Sequence, residues 1–331
     1  MRRRIAIVYN EPYPSRYDAL GETKAVLGVL EAVAAVQQAL LEIGHQVVLV
    51  PLMPPLEQAD KNLRELDTDL VFNLFEGFPG DPETEAMVPE VLSARGIACT
   101  GCPAAALRLA LDKAKVKIMM QAAGVPTPDF QLLNPGTLHL FRLGYPCIVK
   151  PRSEDASHGL SADSIVNDGA ALAKQVSFIS NTYKGDVLVE EFIDGREFNA
   201  TVLGNFADTV LPVSEIAYAL PAAMPRLLTF SAKWEPDSLY FQGTTAICPA
   251  DIGEEERQRI TTTAVAAFKL LGGEGYARVD MRADHKGEIN VIEVNPNPDI
   301  SPGAGAILQA AAAGMTYTQF IQKIVDLAPE K

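Results

Sequence analysis

The segment Tyr276-Ala-Arg-Val-Asp-Met-Arg-Ala-Asp-His-Lys-Gly-Glu-Ile-Asn-Val-Ile-Glu-Val-Asn295 contains the pattern that decides the fold of this chain. Two runs rich in apolar residues flank Lys286-Gly287, which predicts a β-hairpin with this pair as a two-residue turn. In that register Asp280 lies opposite Glu293. Because side chains alternate along a strand, residues at alternate positions around this pair share one face of the hairpin.

The same register places Arg278 opposite Asn295, on the face that Asp280 and Glu293 share. Two facing carboxylates repel each other, and hard divalent cations bind oxygen ligands. Asp280, Glu293 and Asn295 therefore predict a magnesium site. A register shifted by one residue, which would separate the two acids, or a solvated acidic face would explain the spacing equally well, and the spacing alone leaves these alternatives open.

Towards the N-terminus, apolar segments alternate in the order typical of parallel β/α units. We expect strands at 4–9, 45–50, 70–74 and 97–100 and a helix over 24–43. Strands and helices in this alternation predict an open parallel sheet covered by helices. The loop after the first strand contains no glycine, so the dinucleotide-binding fingerprint is missing and a Rossmann dehydrogenase is disfavoured.

Composition narrows the classes of function. The chain has 331 residues and a net charge of −14, which suits a folded protein of two or three domains and disfavours binding to nucleic acid or anionic membranes. The basic start is not followed by an apolar run long enough for an export signal, so we expect a cytoplasmic protein. Cys99 and Cys102 form a CxxC pair without a second pair nearby, which leaves zinc or redox chemistry as a weak alternative.

Further along the chain, we expect a helix over 103–124 and strands at 147–150 and 187–192 with a helix between them. A helix over 254–271 precedes the hairpin. The stretch 221–249 shows no regular pattern. A segment of that length inside a folded domain is typical of a functional lid.

Charged residues at strand ends indicate an anion site. Lys150 ends an apolar strand and is followed by a small polar loop that contains Ser157, an arrangement suited to an anion cradled by backbone amides. Glu190 closes a Val-Leu-Val run, where a carboxylate needs a partner. Lys117 and Lys233, taken alone, are typical of solvated surface lysines.

Six short motifs follow one another along the chain: Asp112-Lys-Ala-Lys-Val-Lys117, Tyr145-Pro-Cys-Ile-Val-Lys-Pro151, Val187-Leu-Val-Glu-Glu-Phe-Ile-Asp-Gly-Arg-Glu197, Ala232-Lys233-Trp234, Ala277-Arg-Val-Asp280 and Ile292-Glu-Val-Asn295. In this order they resemble the ATP-grasp ligases, specifically the D-alanine–D-alanine ligase branch, from about residue 69 to the end. The resemblance implies an α/β protein. An N-terminal open parallel domain (1–103) would precede two α+β subdomains that clasp ATP (104–190 and 191–331), with a mobile lid at about 221–249.

The resemblance also implies roles for individual residues. Three groups of residues would contact ATP and two magnesium ions, for which manganese is a substitute: the phosphates would be held by Lys117, Lys150, Ser157 and Lys233, the adenine and ribose by Glu190, Glu191, Ile193 and Glu197, and the metal ions by Asp280, Glu293 and Asn295. Arg278 would stabilise the negative intermediate, and Lys233 and Ser157 would also take part in catalysis. The implied reaction joins a carboxylate to an amine through an acyl phosphate.

The acceptor side departs from the family pattern. Glu22 has no aligned equivalent of the family's substrate-binding glutamate, Glu76 occupies the place of a histidine, and Asp299 occupies the place of a glycine. With Ser301, these residues are our candidates for substrate contacts. An acidic pocket favours a cationic or amine-rich substrate. The sequence therefore predicts a ligase whose substrates are not two D-alanines.

Two alternatives remain open: a genuine D-alanine–D-alanine ligase with a remodelled pocket, and a noncatalytic ATP-binding module. The expected partners are a small carboxylate and a small amine, without nucleic acid or membrane. Analogy with the family adds a homodimer to these expectations.

Overall fold

The computed structural model describes residues 2–15, 18, 23–154, 157–205 and 208–329. Glu22, one of the candidates for substrate contacts, lies outside the described residues. Among the residues that are described, the strands form three sheets. In the same part of the chain, no helix combines the length and apolar composition that crossing a membrane requires.

The N-terminal part is a parallel sheet with strand order β2-β1-β3-β4, so the predicted open parallel sheet is confirmed. Its elements are β1 (Arg4–Asn10), α1 (Thr23–Ile43), β2 (Gln46–Leu52), α2 (Leu56–Arg64), β3 (Leu70–Leu74), a 3-10 helix (Pro82–Ala86), α3 (Met87–Ala94) and β4 (Ala98–Cys99). Alternate residues of β1 belong to two different cores, with Ile5 and Ile7 on one side and Ala6 and Val8 on the other. Residues 5–9 of this strand are apolar on both faces because helices cover both sides of the sheet.

The second part begins with two helices, α4 (Ala104–Leu111) and α5 (Lys113–Ala122). The single helix predicted over 103–124 is wrong, because the chain breaks at Asp112. This residue leaves helical geometry, with φ −92° and ψ 79°, and its side chain accepts a hydrogen bond from the Lys115 N–H at the start of α5. An aspartate that caps the following helix competes with continuation of the preceding one.

An antiparallel sheet with order β5-β8-β6-β7 follows, and a helix packs against it. Its elements are β5 (Phe130–Leu133), a 3-10 helix (Leu138–Leu140), β6 (Cys147–Pro151), a 3-10 helix (Ala162–Ser164), β7 (Ile165–Val166), α6 (Gly169–Tyr183) and β8 (Val187–Glu191). β6 and β8 lie side by side, so Ile148 is paired with Glu190 and Lys150 with Leu188. The expected strands and helix of this region are confirmed.

The third part forms a sheet with order β12-β11-β9-β13-β14, and β10 pairs with β9. Its elements are β9 (Glu197–Gly204), β10 (Thr209–Val210), β11 (Ser214–Tyr218), α7 (Phe230–Trp234), α8 (Leu239–Gln242), β12 (Thr244–Ile247), α9 (Glu254–Leu270), β13 (Gly275–Ala283), β14 (Ile289–Asn295), α10 (Gly305–Ala312) and α11 (Tyr317–Leu327). Phe320 and Ile321 of α11 join Val33 and Leu40 of α1 in one core. The end of the chain thus packs against the N-terminal part, and the division after residues 103 and 190 stays a prediction.

The hairpin of β13 and β14 has the predicted pairing but not the predicted turn. The turn is longer than Lys286-Gly287, since the Asp284 N–H donates to the Glu288 carbonyl and Gly287 has φ +79°. A β-bulge between Asp280 and Met281 then shifts the register by one residue. Asp280 therefore still pairs with Glu293, as predicted, because a bulge offsets the longer turn.

The segment 221–249 is more ordered than the sequence suggested, because it contains α7, α8 and β12. The N–H of Phe230 donates to the carbonyl of Leu160, and the hydroxyl of Ser157 donates to the carbonyl of Leu228. A Cβ atom at Gly28 of α1 would lie only 3.0 Å from the ring of Trp234. The segment thus lies over the loop after β6 and reaches the N-terminal part.

We predict that Gly195→Ala lowers the free energy of unfolding by at least about 2 kcal/mol. A Cβ at this position would lie 1.7 Å from the carbonyl oxygen of Ala283, so backbone must move. Gly144→Ala is the matched control, because nothing lies within 4 Å of its Cβ, and we expect a change below about 1 kcal/mol. Urea denaturation measures both, and equal stabilities of the two variants would contradict the prediction.

Candidate active site

A cavity lies where the second and third parts of the chain meet. Residues of β6, β8, β13, β14 and the segment 221–249 line it. Nine of the predicted site residues are among its lining: Lys150, Ser157, Glu190, Glu191, Ile193, Glu197, Lys233, Asp280 and Glu293. Tertiary structure thus gathers residues that are up to 143 positions apart in the sequence.

Glu190 is the centre of a buried cluster of charges. Its side chain is 1% exposed, and its two carboxylate oxygens lie 3.1 Å from Nζ of Lys117 and 2.9 Å from Nζ of Lys150. Burial alone would raise the pKa of Glu190, but the two ammonium groups outweigh it and hold this pKa below its ordinary value. Lys117 is not part of the cavity lining. It donates to the hydroxyl of Thr127 at 2.7 Å.

Burial lowers the pKa of Lys117 to about 8, and the neighbouring ammonium of Lys150 acts in the same direction, while Glu190 opposes both. One carboxylate thus compensates two buried ammonium groups. Because Lys150 lines the cavity and Lys117 does not, the surplus positive charge is available to an anion in the cavity mainly through Lys150.

Lys113 is a cavity residue that the sequence analysis did not select. Its side chain is 7% exposed, and its Nζ lies 2.9 Å from Oε1 of Glu293. It also donates to the carbonyl of Glu154 at 2.8 Å. Lys113 and Lys117 are four residues apart on α5, which places them on the same helix face, and this spacing is the signal that could have identified Lys113.

Asp280 is held by two partners on its own sheet. Arg278 donates to both of its oxygens, with distances of 2.7 and 2.8 Å, and Nδ2 of Asn199 donates to Oδ1 at 2.7 Å. Burial disfavours the charged guanidinium, but Asp280 outweighs burial and raises the pKa of Arg278. Neither Arg278 nor Asn295 lines the cavity, and Oδ1 of Asn295 accepts from the N–H of Asn297 at 2.9 Å.

Neighbouring lysines keep the carboxyl of Glu293 ionised. Burial raises the pKa of this carboxyl, but Lys113, Lys150 and Lys233 together bring it well below its ordinary value. Lys233, on α7, is itself disfavoured as a cation by burial and by Arg278, so its pKa is lowered. Lysines from three separate elements therefore act on one carboxylate at the cavity wall.

The hairpin acids fit a divalent cation in their chemistry. Among the described residues no three His, Cys, Asp or Glu side chains form a metal cluster by themselves. The donors here are the carboxylates of Asp280 and Glu293 and the amide of Asn295. Magnesium commonly takes one or two carboxylates and fills its other positions with phosphate and water oxygens, so this donor set suits a phosphate-bound ion.

The cavity lining also contains apolar side chains. They include Ile148 of β6, Ile292 of β14 and Leu227 of the segment 221–249. Glu197 is also a lining residue, and its Oε2 accepts from the hydroxyl of Tyr218 at 2.6 Å and from Arg282. Such a slot suits a flat apolar group with hydroxyl groups beside it.

Ser157 adopts φ +61° in the loop after β6. A non-glycine residue in this region is strained, and such strain is concentrated at functional sites. The residue lines the cavity and its hydroxyl donates to the carbonyl of Leu228 at 3.1 Å. The loop and the segment above it are thus joined at the edge of the cavity.

Three of the predicted substrate residues, Glu76, Asp299 and Ser301, are described by the structure, and none of the three lines the cavity. Glu76, in the loop after β3, is exposed, and its backbone N–H donates to Oδ1 of Asn10 at 2.8 Å. Asp299 is exposed as well, and its Oδ1 accepts from the N–H and the hydroxyl of Ser301 at 2.8 and 2.6 Å. Nδ2 of Asn297 donates to the Phe75 carbonyl at 3.0 Å, which brings the loops after β3 and β14 together.

Comparisons with known proteins agree with this architecture. Residues 119–326 match the family model "D-ala D-ala ligase C-terminus". D-alanine–D-alanine ligase B of Chromobacterium violaceum is 30% identical over 275 residues, 82% of this chain and 84% of that protein. The uncharacterized protein y4sG of Sinorhizobium fredii is 34% identical over 97% of this chain and 92% of its own length.

Solved structures show the same fold. The D-alanine–D-alanine ligase of Bacillus anthracis superimposes with a TM-score of 0.76 at 21% identity, covering 99% of this chain and 97% of that one. VanG D-Ala:D-Ser ligase of Enterococcus faecalis gives a TM-score of 0.76 at 20% identity, covering 99% of each chain. Fold and cavity together define an ATP-grasp ligase.

Within that class, the chain belongs to the D-alanine–D-alanine ligase family. It is an ATP-dependent, ADP-forming ligase that works with a divalent metal ion. The resemblance predicted from the six motifs is confirmed.

We predict that Glu190→Gln lowers the free energy of unfolding by about 3–5 kcal/mol at neutral pH, because it leaves Lys117 and Lys150 buried without a counterion. Glu191→Gln is the control. Glu191 is the next residue of β8 and is exposed, so we expect a change within about 0.5 kcal/mol. Chemical denaturation measures both.

The same pair of proteins has a predictable pH dependence. Because folding lowers the pKa of Glu190 below 4.5, its contribution to stability is fully present above that pH and is lost as the pH falls through the folded-state pKa. The difference in the free energy of unfolding between the wild-type protein and Glu190→Gln should therefore become smaller as the pH is lowered. A difference that stayed constant down to about pH 2 would contradict this assignment.

Proposed function

We propose that the chain is a carboxylate–amine ligase that forms an amide or peptide bond through an acyl phosphate, with amino-acid-like substrates other than two D-alanines. The main support for this proposal is the arrangement of charged side chains in the cavity lining. There Lys113, Lys150 and Lys233 act on the carboxylate of Glu293. A wall with these charges suits a polyphosphate with bound magnesium.

At the phosphate end, we assign Lys113, Lys150 and Lys233 to the phosphate oxygens of ATP. Lys117 then acts through Glu190, because it pairs with that carboxylate and is not part of the lining. Ser157 and the loop after β6 would contact the same phosphates.

At the metal end, Asp280, Glu293 and Asn295 would hold one or two magnesium ions, and manganese has the same ligand preferences. The bound metal would neutralise phosphate charge and orient the transferred group. Before the ligand arrives, Glu293 is paired with Lys113 and Asp280 with Arg278.

At the nucleoside end, Ile148, Leu227 and Ile292 offer apolar contact to the adenine, together with Glu190, Glu191 and Ile193. Glu197 would accept hydrogen bonds from the ribose hydroxyls. This division into an apolar slot, one hydroxyl-binding carboxylate and a basic phosphate wall matches the three chemical parts of ATP.

The proposed reaction has two steps. A substrate carboxylate attacks the γ-phosphorus of ATP, which releases ADP and gives an acyl phosphate. A substrate amine then attacks the acyl carbon, loses a proton and displaces phosphate. Arg278, locked in place by Asp280, would stabilise the negative charge of the tetrahedral intermediate, so catalysis is mainly positioning and neutralisation of charge.

The substrate class follows from the loops after β3 and β14. Glu76 and Asp299 provide exposed carboxylates on these loops, which Asn297 holds together. Two carboxylates favour an amine-rich or cationic substrate. The homodimer and the cytoplasmic location stay predictions.

The decisive test is phosphate release with magnesium and ATP over a panel of D- and L-amino acids, dipeptides and amines, with mass spectrometry of the product. We expect stimulation by one carboxylate together with one amine. Stimulation by D-alanine alone would support a genuine D-alanine–D-alanine ligase with a remodelled pocket. No turnover despite measured ATP binding would support the noncatalytic alternative.

With the substrates identified, we predict that Glu293→Ala lowers kcat by about 100-fold or more, because a metal ligand and a partner of Lys113 are lost. Glu288→Ala, an exposed residue of the same hairpin, serves as the control and should retain the original kcat. Full turnover by Glu293→Ala would overturn the proposed metal site.

We predict that Asp299→Asn and Glu76→Gln each raise the KM of the cationic substrate by about tenfold, while the KM of ATP changes little. Glu83→Gln is the matched control, since Glu83 is exposed and lies near Glu76 in sequence. If the KM of the cationic substrate were the same in all three variants, the carboxylates of Glu76 and Asp299 would not contact the substrate.

A further inference from the structure

Arg282 is a buried cation that the proposed reaction does not use. It lies on β13, is 4% exposed and lines the cavity beside Glu197. Its Nε lies 3.1 Å from Oε2 of Glu197, and its Nη2 donates to the same oxygen. Burial alone would lower the pKa of this guanidinium, but Glu197 and Tyr218 outweigh burial and raise it, so it stays charged.

Every donor that the structure gives to the Glu197 carboxylate goes to one oxygen. Arg282 and the hydroxyl of Tyr218, at 2.6 Å, all bind Oε2. Within the described part of the chain, Oε1 of Glu197 accepts no hydrogen bond. The carboxylate is therefore fixed through one oxygen, and its other oxygen retains its capacity to accept hydrogen bonds from a ligand.

The same guanidinium joins two further segments. Its Nη1 donates to the carbonyl of Ile193 at 2.9 Å, and its Nη2 donates to the carbonyl of Arg226 at 2.6 Å. Ile193 belongs to the connection between β8 and β9, and Arg226 belongs to the segment 221–249. Arg282 thus holds three pieces of the cavity wall at one point.

We infer that Arg282 is a positioning residue that aims the free oxygen of Glu197 at the ribose hydroxyls, and so sets the preference of the site for ribonucleotides. The inference rests on the proposed nucleotide site. Nε and Nη2 of Arg282 converge with the Tyr218 hydroxyl on Oε2, so three donors hold this one oxygen in place and Oε1 is left to accept from a ligand. Without Arg282, Glu197 would lose its fixed orientation.

The test is isothermal titration calorimetry of ATP, 2′-deoxyATP and 3′-deoxyATP in the presence of magnesium, which needs no turnover. We expect the original chain to bind ATP about tenfold or more tightly than at least one deoxy analogue, since a hydrogen bond to a carboxylate is lost. Arg282→Met should reduce this ratio to within about twofold. Glu197→Gln should reduce it as well, and adding Arg282→Met to Glu197→Gln should not change the ratio further.

Two variants separate positioning from a general structural effect. Tyr218→Phe removes one donor from Oε2 and keeps the ring, so it should lower the ratio partially even if Arg282→Met folds poorly. Arg226→Met is the control. The Arg226 side chain is exposed and pairs with Asp194, while only its backbone carbonyl contacts Arg282, so the ratio should not change.

The outcomes distinguish the inference from the proposed function. Equal weakening of ATP and its deoxy analogues by Arg282→Met and Tyr218→Phe, with the ratio preserved, would overturn the role of Arg282 but not the nucleotide site. A rise in the ratio of the affinities for ATP and its deoxy analogues in these variants would also overturn the role of Arg282 without affecting the nucleotide site. If the original chain bound none of the three nucleotides, the nucleotide site itself would be wrong, and this inference with it.

Discussion

The carboxylate of Glu190, held between the ammonium groups of Lys117 and Lys150, is the interaction on which the cavity depends. These charges come from three elements, β8, α5 and the end of β6. A buried carboxylate with two cations is stable only when all three groups meet, since removal of one leaves an uncompensated charge. The pairings therefore fix the position of α5 against the sheet that forms one cavity wall.

The other acids of the site follow the same rule. Glu293 is paired with Lys113, Asp280 with Arg278 and Glu197 with Arg282. In each pair, the neighbouring cation offsets part of the free energy that burying the carboxylate costs. A ligand that itself combines phosphate and a divalent cation can exchange partners with these pairs without leaving a buried charge alone.

Sequence patterns predicted the structure correctly where interactions between residues close in sequence determine it. The pairing of Asp280 with Glu293 was predicted correctly, although the turn was wrong, because a bulge that no sequence pattern revealed offset the longer loop. The helix predicted over 103–124 failed at Asp112, where capping of the next helix outweighed continuation. Lys113 was not predicted, although its four-residue spacing from Lys117 places both lysines on one face of α5, because only the packing of α5 shows that this face is buried.

By itself, the sequence determined the parallel N-terminal sheet, the hairpin face and the family. These features depend on the alternation of apolar segments, the spacing of the hairpin residues and the order of the six motifs, all of which are properties of the linear sequence. Tertiary structure alone decided the pairing of charges. Arg282 looks like an ordinary strand residue in sequence, yet it contacts Glu197 from 85 positions away. The energy of a buried charge depends on which opposite charge lies within a few ångströms, and the packing of separate elements sets that distance.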